Sequence, residues 1–257
     1  MKSIDTHCHL HHTLKRGAKL GNILSNAKKA GVIAMIDSPV YIENYQHSIR
    51  LHNQFPSTIF VSLGVPPAQY HELDIDLMIE KIREHAEKKE IVAVGEVGLD
   101  YYWVKKEAIR EKQHEIFGKF INLANELNLP LVIHSRDAEG DSLIDLANAE
   151  TSVVMHSFSG TIDVALECIN RGYFISIPTA VTNRKKHRKL AEKIPLEFLL
   201  TETDSPYLSP IPEKKRNEPA NVVFAVKEIA KLKEISEEVV ANITLENAKK
   251  IFKLSIE

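Results

Sequence analysis

Apolar positions in this chain fall into two recurring patterns. One is a short, near-continuous run rich in β-branched residues. It appears as "SIDTHCHL" (3–10), "VIAMID" (32–37), "TIFVSLGV" (58–65), "IVAVGEVGL" (91–99), "LPLVIHS" (129–135), "SVVMHSFS" (152–159), "YFISIP" (173–178) and "EFLLTETD" (197–204). Runs this short and this apolar predict strands buried on both faces, as in a parallel sheet. The other pattern is a stripe with three- and four-residue steps, the mark of a helix with one buried face. Ile116, Phe117, Phe120, Ile121, Ala124 and Leu127 form one stripe within 114–127; Leu77, Ile79, Ile82 and Ala86 form another. Val222, Val223, Val226, Ile229 and Ala230 form a third, just after Pro219, a residue suited to a helix start. The tail after residue 235 predicts one or two closing helices, with Thr244 as an N-cap and Asn247 at the third helical position.

Alternating strands and helices predict a parallel sheet with right-handed crossovers. Eight such units in 257 residues predict an α/β fold of the (β/α)8 TIM barrel type, one domain over 1–257 with C-terminal closing helices. A doubly wound open sheet is the alternative, weakened because no GxGxxG follows the first run.

The polar residues at the ends of these runs change the picture. His7 and His9 end the first, Glu96 lies near the end of the fourth, His134 ends the fifth, His156 the sixth and Asp204 the eighth. In a barrel these ends converge on one mouth. Residues i and i+2 of a strand share a face, so His7 and His9 point together and Cys8 points away. A single histidine at a strand end is more often a hydrogen-bonded structural residue than a ligand. Polar groups at the ends of five apolar runs are together costly unless paired or metal-bound. Four imidazoles and two carboxylates without a thiolate suit Zn2+, Mn2+, Co2+ or Mg2+, and one bridging carboxylate would let them hold two divalent ions. His47, His52, His85, His114 and His187 read as surface or helix positions, and His11 and His12 as solvated loop residues.

Composition narrows the class without choosing the chemistry. Charged residues make up 26%, the hydrophobic group 44%, and the net charge is −2, so no global field points to nucleic acid or a membrane. There is no apolar run of the roughly 18 residues a membrane span needs. Two cysteines, Cys8 and Cys168, form no disulfide framework. A cytoplasmic protein is expected, with no signal peptide and no membrane or obligate protein partner evident.

"DTHCHL", "GEVGLDYY", "IHSRDA", "HSFSG", "ETDSPYLSP" and "RNEPANV" resemble the ordered motifs of the TatD family of metal-dependent deoxyribonucleases, and the likeness runs from residue 5 to "ENAKKIF" at 246–252. The resemblance implies an amidohydrolase-superfamily barrel. It implies His7, His9 and Asp204 on one metal, His134 and His156 on the other, and Glu96 bridging where many superfamily relatives use a carboxylated lysine. Two positions depart from the family pattern: Pro66 stands where a histidine is usual, and Ser157 where a cysteine is usual.

The mouth gains positive charge from "NRKKHRK" (183–189) and "EKKRNEP" (213–219), each of which could instead be a solvated face. Beside a metal site they favour a phosphate backbone, with Lys185 and Lys186 as binding residues. Arg136 is either a phosphate clamp or a brace paired with a carboxylate. Tyr101, Tyr102 and Trp103 either stack on a frayed base or pack the loop. The expected activity is hydrolysis of phosphodiester bonds in DNA, trimmed from single-stranded or frayed 3′ ends as the family implies. Glu96 would fix the metal spacing and Asp204 would accept the proton of the attacking water. A hydrolase of carboxyl esters or amides, such as an aminoacyl-tRNA deacylase, uses the same ligand set; a metal-stabilised binding or scaffold protein is the non-enzymatic alternative.

Overall fold

The computed structural model describes residues 1–211, 213, 214 and 216–256. Eight parallel strands form one sheet in sequential order: β1 Ser3–Cys8, β2 Val32–Asp37, β3 Ile59–Leu63, β4 Ala93–Asp100, β5 Leu131–Arg136, β6 Val153–Met155, β7 Phe174–Pro178 and β8 Leu199–Glu202. The last strand returns to the first. Cys8 bridges Ser205, the His9 amide donates to Ser205 O at 2.7 Å, and the Asp204 amide donates to His7 O at 3.0 Å. The sheet therefore closes into the predicted barrel, and each predicted apolar run overlaps one strand, β4 and β5 each running one residue past theirs.

Helices α1 Leu10–Lys15, α2 Leu20–Ala30, α3 Tyr45–Gln54, α4 Ile75–Glu87, α5 Glu107–Leu127, α6 Glu139–Asp145, α7 Ile162–Asn170, α8 Lys185–Lys193, α9 Val222–Lys233 and α10 Glu237–Ile251 surround it. The 114–127 stripe is the buried face of α5, which begins seven residues earlier than the stripe, at Glu107. In α4 the buried face is Ile75, Met78, Ile82 and His85, and Leu77 is exposed, so the expected stripe was turned from its true centre. Its residues Ile79 and Ala86 pack at the edge of that face.

The tail departs from expectation at its start. Ser236 caps α10 by accepting from the Val239 amide at 3.3 Å. Thr244 lies mid-helix, where its hydroxyl donates back to Val240 O at 2.9 Å, a bond that a buried threonine can make without leaving the helix. This helix closes the N-terminal end of the barrel. Ile4, Phe60, Val132, Val154 and Leu200 point into that end and pack against Leu245, Ala248, Ile251 and Phe252. The apolar plug leaves the opposite mouth as the place where polar side chains gather. No helix among the described residues is long and apolar enough to cross a membrane.

Candidate metal centre

Five of the six expected residues meet closely at the C-terminal mouth. Ligand atoms of His7, His9 and Asp204 lie within 4.8 Å of one another, as do those of His7, Glu96 and His156. His7 Nε2 is 3.2 Å from Glu96 Oε2, His9 Nε2 is 3.2 Å from Asp204 Oδ1, and His156 Nε2 is 3.6 Å from Glu96 Oε2. His134 stands at the same mouth with its ring centroid 6.3 Å from that of His156. Its Nε2 faces Asp100 Oδ2 at 2.9 Å, and it joins neither close group.

Local backbone aims these groups. Gly95 and Gly98 flank the strand segment that carries Glu96, with φ +154° and +140°. A Cβ on Gly98 would come within 2.1 Å of His134 O, and one on Gly95 within 2.5 Å of Val132 O, so β4 lies against β5 only with glycine at both positions. Ser157, which follows His156, has φ +44°, and Asp204 has φ +56°. Such conformations cost non-glycine residues of order 1–3 kcal/mol and concentrate at functional sites.

Two buried carboxylates stand behind the imidazoles. Glu202, fully buried, places Oε1 2.9 Å from His156 Nδ1. Asp100 holds His134 with one oxygen and accepts from the Trp103 amide with the other at 2.8 Å. His9 Nδ1 sits 2.5 Å from Ser38 O. Sequence reasoning missed both acids. Glu202 is the last residue of β8 and Asp100 the last of β4, and a carboxylate at the end of an apolar run was the available signal.

Charge in the cluster is strongly coupled. Burial opposes protonation of His156, but Glu202, Asp204 and Glu96 outweigh it and push the imidazole up to about 10. Burial likewise opposes protonation of His9, and Asp204 and Glu96 push it up to about 9. Burial acts to raise Glu96, yet the surrounding imidazoles, His7 first, hold it well below the usual carboxylate range. His7 is lowered by burial and by His156, whose ring stacks on it with centroids 3.7 Å apart. His7 Nδ1 is buried without a hydrogen-bond partner, and Nε2 has only its 3.2 Å approach to Glu96 Oε2.

The surroundings correct several expectations. Arg136 makes no ion pair among the described residues; its guanidinium lies 3.8 Å from the centroid of Tyr102. Tyr102 and Trp103 are exposed, Trp103 to 67%, and meet edge-on with ring centroids 4.9 Å apart, whereas half-buried Tyr101 bonds to His114 and Asp141. Lys185 and Lys186 are exposed at the start of α8 and do not line the cavity beside the cluster; Arg184 and His187 do. Lys215 of the second basic segment lies outside the described residues. His187 is 3% exposed rather than on the surface, because it occupies the buried face of α8 with Leu190 and Ala191. His85 is buried against Glu90, and His11 and His12 are half-buried on α1 rather than in a loop. Cys8 points away from the histidines, its thiol donating to Ile36 O.

Residues 4–253 match the TatD related DNase family. The chain belongs to that family. It is 37% identical over 255 residues to an uncharacterized metal-dependent hydrolase of Methanocaldococcus jannaschii, with 98% of each chain covered. It is 34% identical over 263 residues to human deoxyribonuclease TATDN3, covering 97% of this chain and 94% of that one. Among solved structures, the TatD homolog YJJV of Escherichia coli K12 superposes with a TM-score of 0.86 at 26% identity, with 98% of both chains covered. This TatD-family chain is a metal-dependent hydrolase acting on ester bonds, and its mouth presents donor groups suited to a metal.

Proposed function

We propose that the protein hydrolyses phosphodiester bonds in DNA, removing nucleotides from single-stranded or frayed 3′ ends with two divalent ions. The observation that carries this reading is the pair of overlapping donor groups, joined through His7, beside a mouth that carries arginines. The donor set fits a metal. His7 is buried with Nδ1 unpartnered, and the carboxylates favour the protonated forms of His9 and His156, a positive charge that a dication would supply instead. His7, His9 and Asp204 would hold one ion, His156 and His134 the other, with Glu96 shared. His134 would then turn from Asp100 or keep it as an outer partner, as metal-bound imidazoles commonly do.

Bound divalent ions would polarise a phosphate oxygen and lower the pKa of water. The chain's own groups do the rest. Glu202 fixes His156 through Nδ1 and directs Nε2 toward Glu96. Asp204, ionised and held by His9, is placed to accept a proton from attacking water. Arg136, stacked on Tyr102, offers its fork to phosphate oxygens, and a base beyond it can lie against the exposed Trp103 ring. Lys185 and Lys186 draw the strand's backbone in from outside the cavity. The cysteines are free and buried, which suits a reducing compartment such as the cytoplasm.

The test is release of nucleotides from 3′-labelled single-stranded DNA with Mg2+, Mn2+, Zn2+ or Co2+, beside an aminoacyl-tRNA control. Metal-dependent nucleotide release without deacylation is expected. Deacylation without nucleotide release would overturn the reading in favour of a carboxyl ester.

A further inference from the structure

A cavity of about 190 Å³ opens beside the carboxylate–imidazole cluster, with His156 and Asp204 on one wall. Its lining also includes Arg184, His187, Arg136 and Ser157. His187 fills a core-facing position in the first turn of α8, yet neither of its ring nitrogens has a hydrogen-bond partner. A buried polar group left unpaired is destabilising, so a ligand that supplies the partner is favoured. Arg184 is exposed and makes no ion pair among the described residues. It is also the N-cap residue of α8, and no side chain caps that helix. The positive end of the helix dipole therefore borders the same space as two guanidinium groups that make no ion pair among the described residues, Arg184 and the ring-stacked Arg136.

We propose that this cavity is a phosphate subsite, in which Arg184 and His187 bind the oxygens of a substrate phosphate next to the cluster. The inference rests on the phosphodiesterase reading and extends it to residues outside the ligand set. Its volume lies below the roughly 300–1,000 Å³ of sites that enclose a whole small ligand. It suits a phosphate group with part of its sugar, leaving the base outside. Arg184 supplies charge and a planar fork. His187 stays neutral, lowered to about 4 chiefly by burial and then by Arg184. A neutral ring keeps one N–H, which can donate to an anionic oxygen.

The experiment is calorimetric titration of the purified protein with inorganic phosphate, with 2′-deoxyadenosine 5′-monophosphate and with deoxyadenosine. It compares wild type, Arg184→Ala and His187→Leu, with metal content measured for each. Arg184 is exposed, so its variant keeps the core; leucine suits the apolar face that His187 occupies. Both variants should weaken both phosphate probes by about tenfold, while metal content and the response to deoxyadenosine stay as in wild type. Unchanged affinity for the phosphates, or a loss confined to the nucleotide, would overturn the subsite. The DNA assay separates the two readings: wild type that binds phosphate through these residues but cleaves no DNA defeats the nuclease reading alone. Wild type that cleaves DNA while both variants bind phosphate normally defeats the subsite alone.

Discussion

His156 has one nitrogen against Glu202 and the other toward Glu96, so a fully buried acid decides which face of the ring the cluster can use. Glu202→Gln keeps the shape and loses the charge. Metal affinity should fall about 10–100-fold, the usual cost of losing an outer partner, while circular dichroism stays native; titration with a chelator competitor checks this. His187 carries a second prediction. Its folded pKa of about 4 lies below the ordinary 6.5, so the folded state disfavours its proton while the unfolded chain accepts it. Arg184, Lys186 and Glu202 are the charges that act on it. Its contribution is present above pH 6.5 and is lost as pH falls toward 4, by about 3 kcal/mol. Urea unfolding from pH 7 to pH 4 should show a shallower loss in His187→Leu than in wild type; parallel curves would mean the imidazole is solvated. His7, His9, Glu96, His156 and Asp204 were legible because each ends an apolar run, where a polar residue stands out. Glu202 and Asp100 were hidden by a ligand-like neighbour that already explained the run. His187 was hidden because a histidine amid Arg184, Lys185, Lys186 and Arg188 reads as part of a solvated face.

Strands were the most legible elements, since burial on both faces leaves an unbroken apolar signature, and β2 coincides with its run at Val32–Asp37. Helix boundaries were less so. The start of α5 is polar and exposed and carries no stripe, and the true cap of α10 at Ser236 competes in the sequence with Thr244, a residue equally able to cap. What the pattern could not show is where α10 packs, because a helix stripe records a buried face but not its partner. It seals the barrel floor with Phe252, which is 2% exposed. Phe252→Ala should lower stability by about 3–5 kcal/mol, read as a reduced urea midpoint. KM of the folded fraction should stay unchanged, because the plug lies at the end of the barrel away from the mouth. A large rise in KM with the midpoint intact would mean that the floor is coupled to the site.

At the scale of the molecule, a net charge of −2 conceals a mouth lined by Arg136 and Arg184 beside a cluster of carboxylates and imidazoles, with Lys185 and Lys186 exposed outside the cavity. The fold could be read from eight alternating units. The chemistry could be read only because a closed barrel makes distant strand ends neighbours. Lys185→Ala with Lys186→Ala should raise KM for DNA and flatten its salt dependence, with kcat retained; an unchanged KM at low salt would return those lysines to a solvated face. The proposed metal centre depends on Glu96, which lies between His7 and His156 and whose two oxygens can serve two cations. The most direct measurement is therefore elemental analysis of Glu96→Gln alongside its rate on 3′-labelled single-stranded DNA. The bridging role of Glu96 predicts fewer metal ions per chain than wild type, a rate lower by about 100-fold or more, and native circular dichroism. Wild-type metal content together with a near-native rate would contradict it.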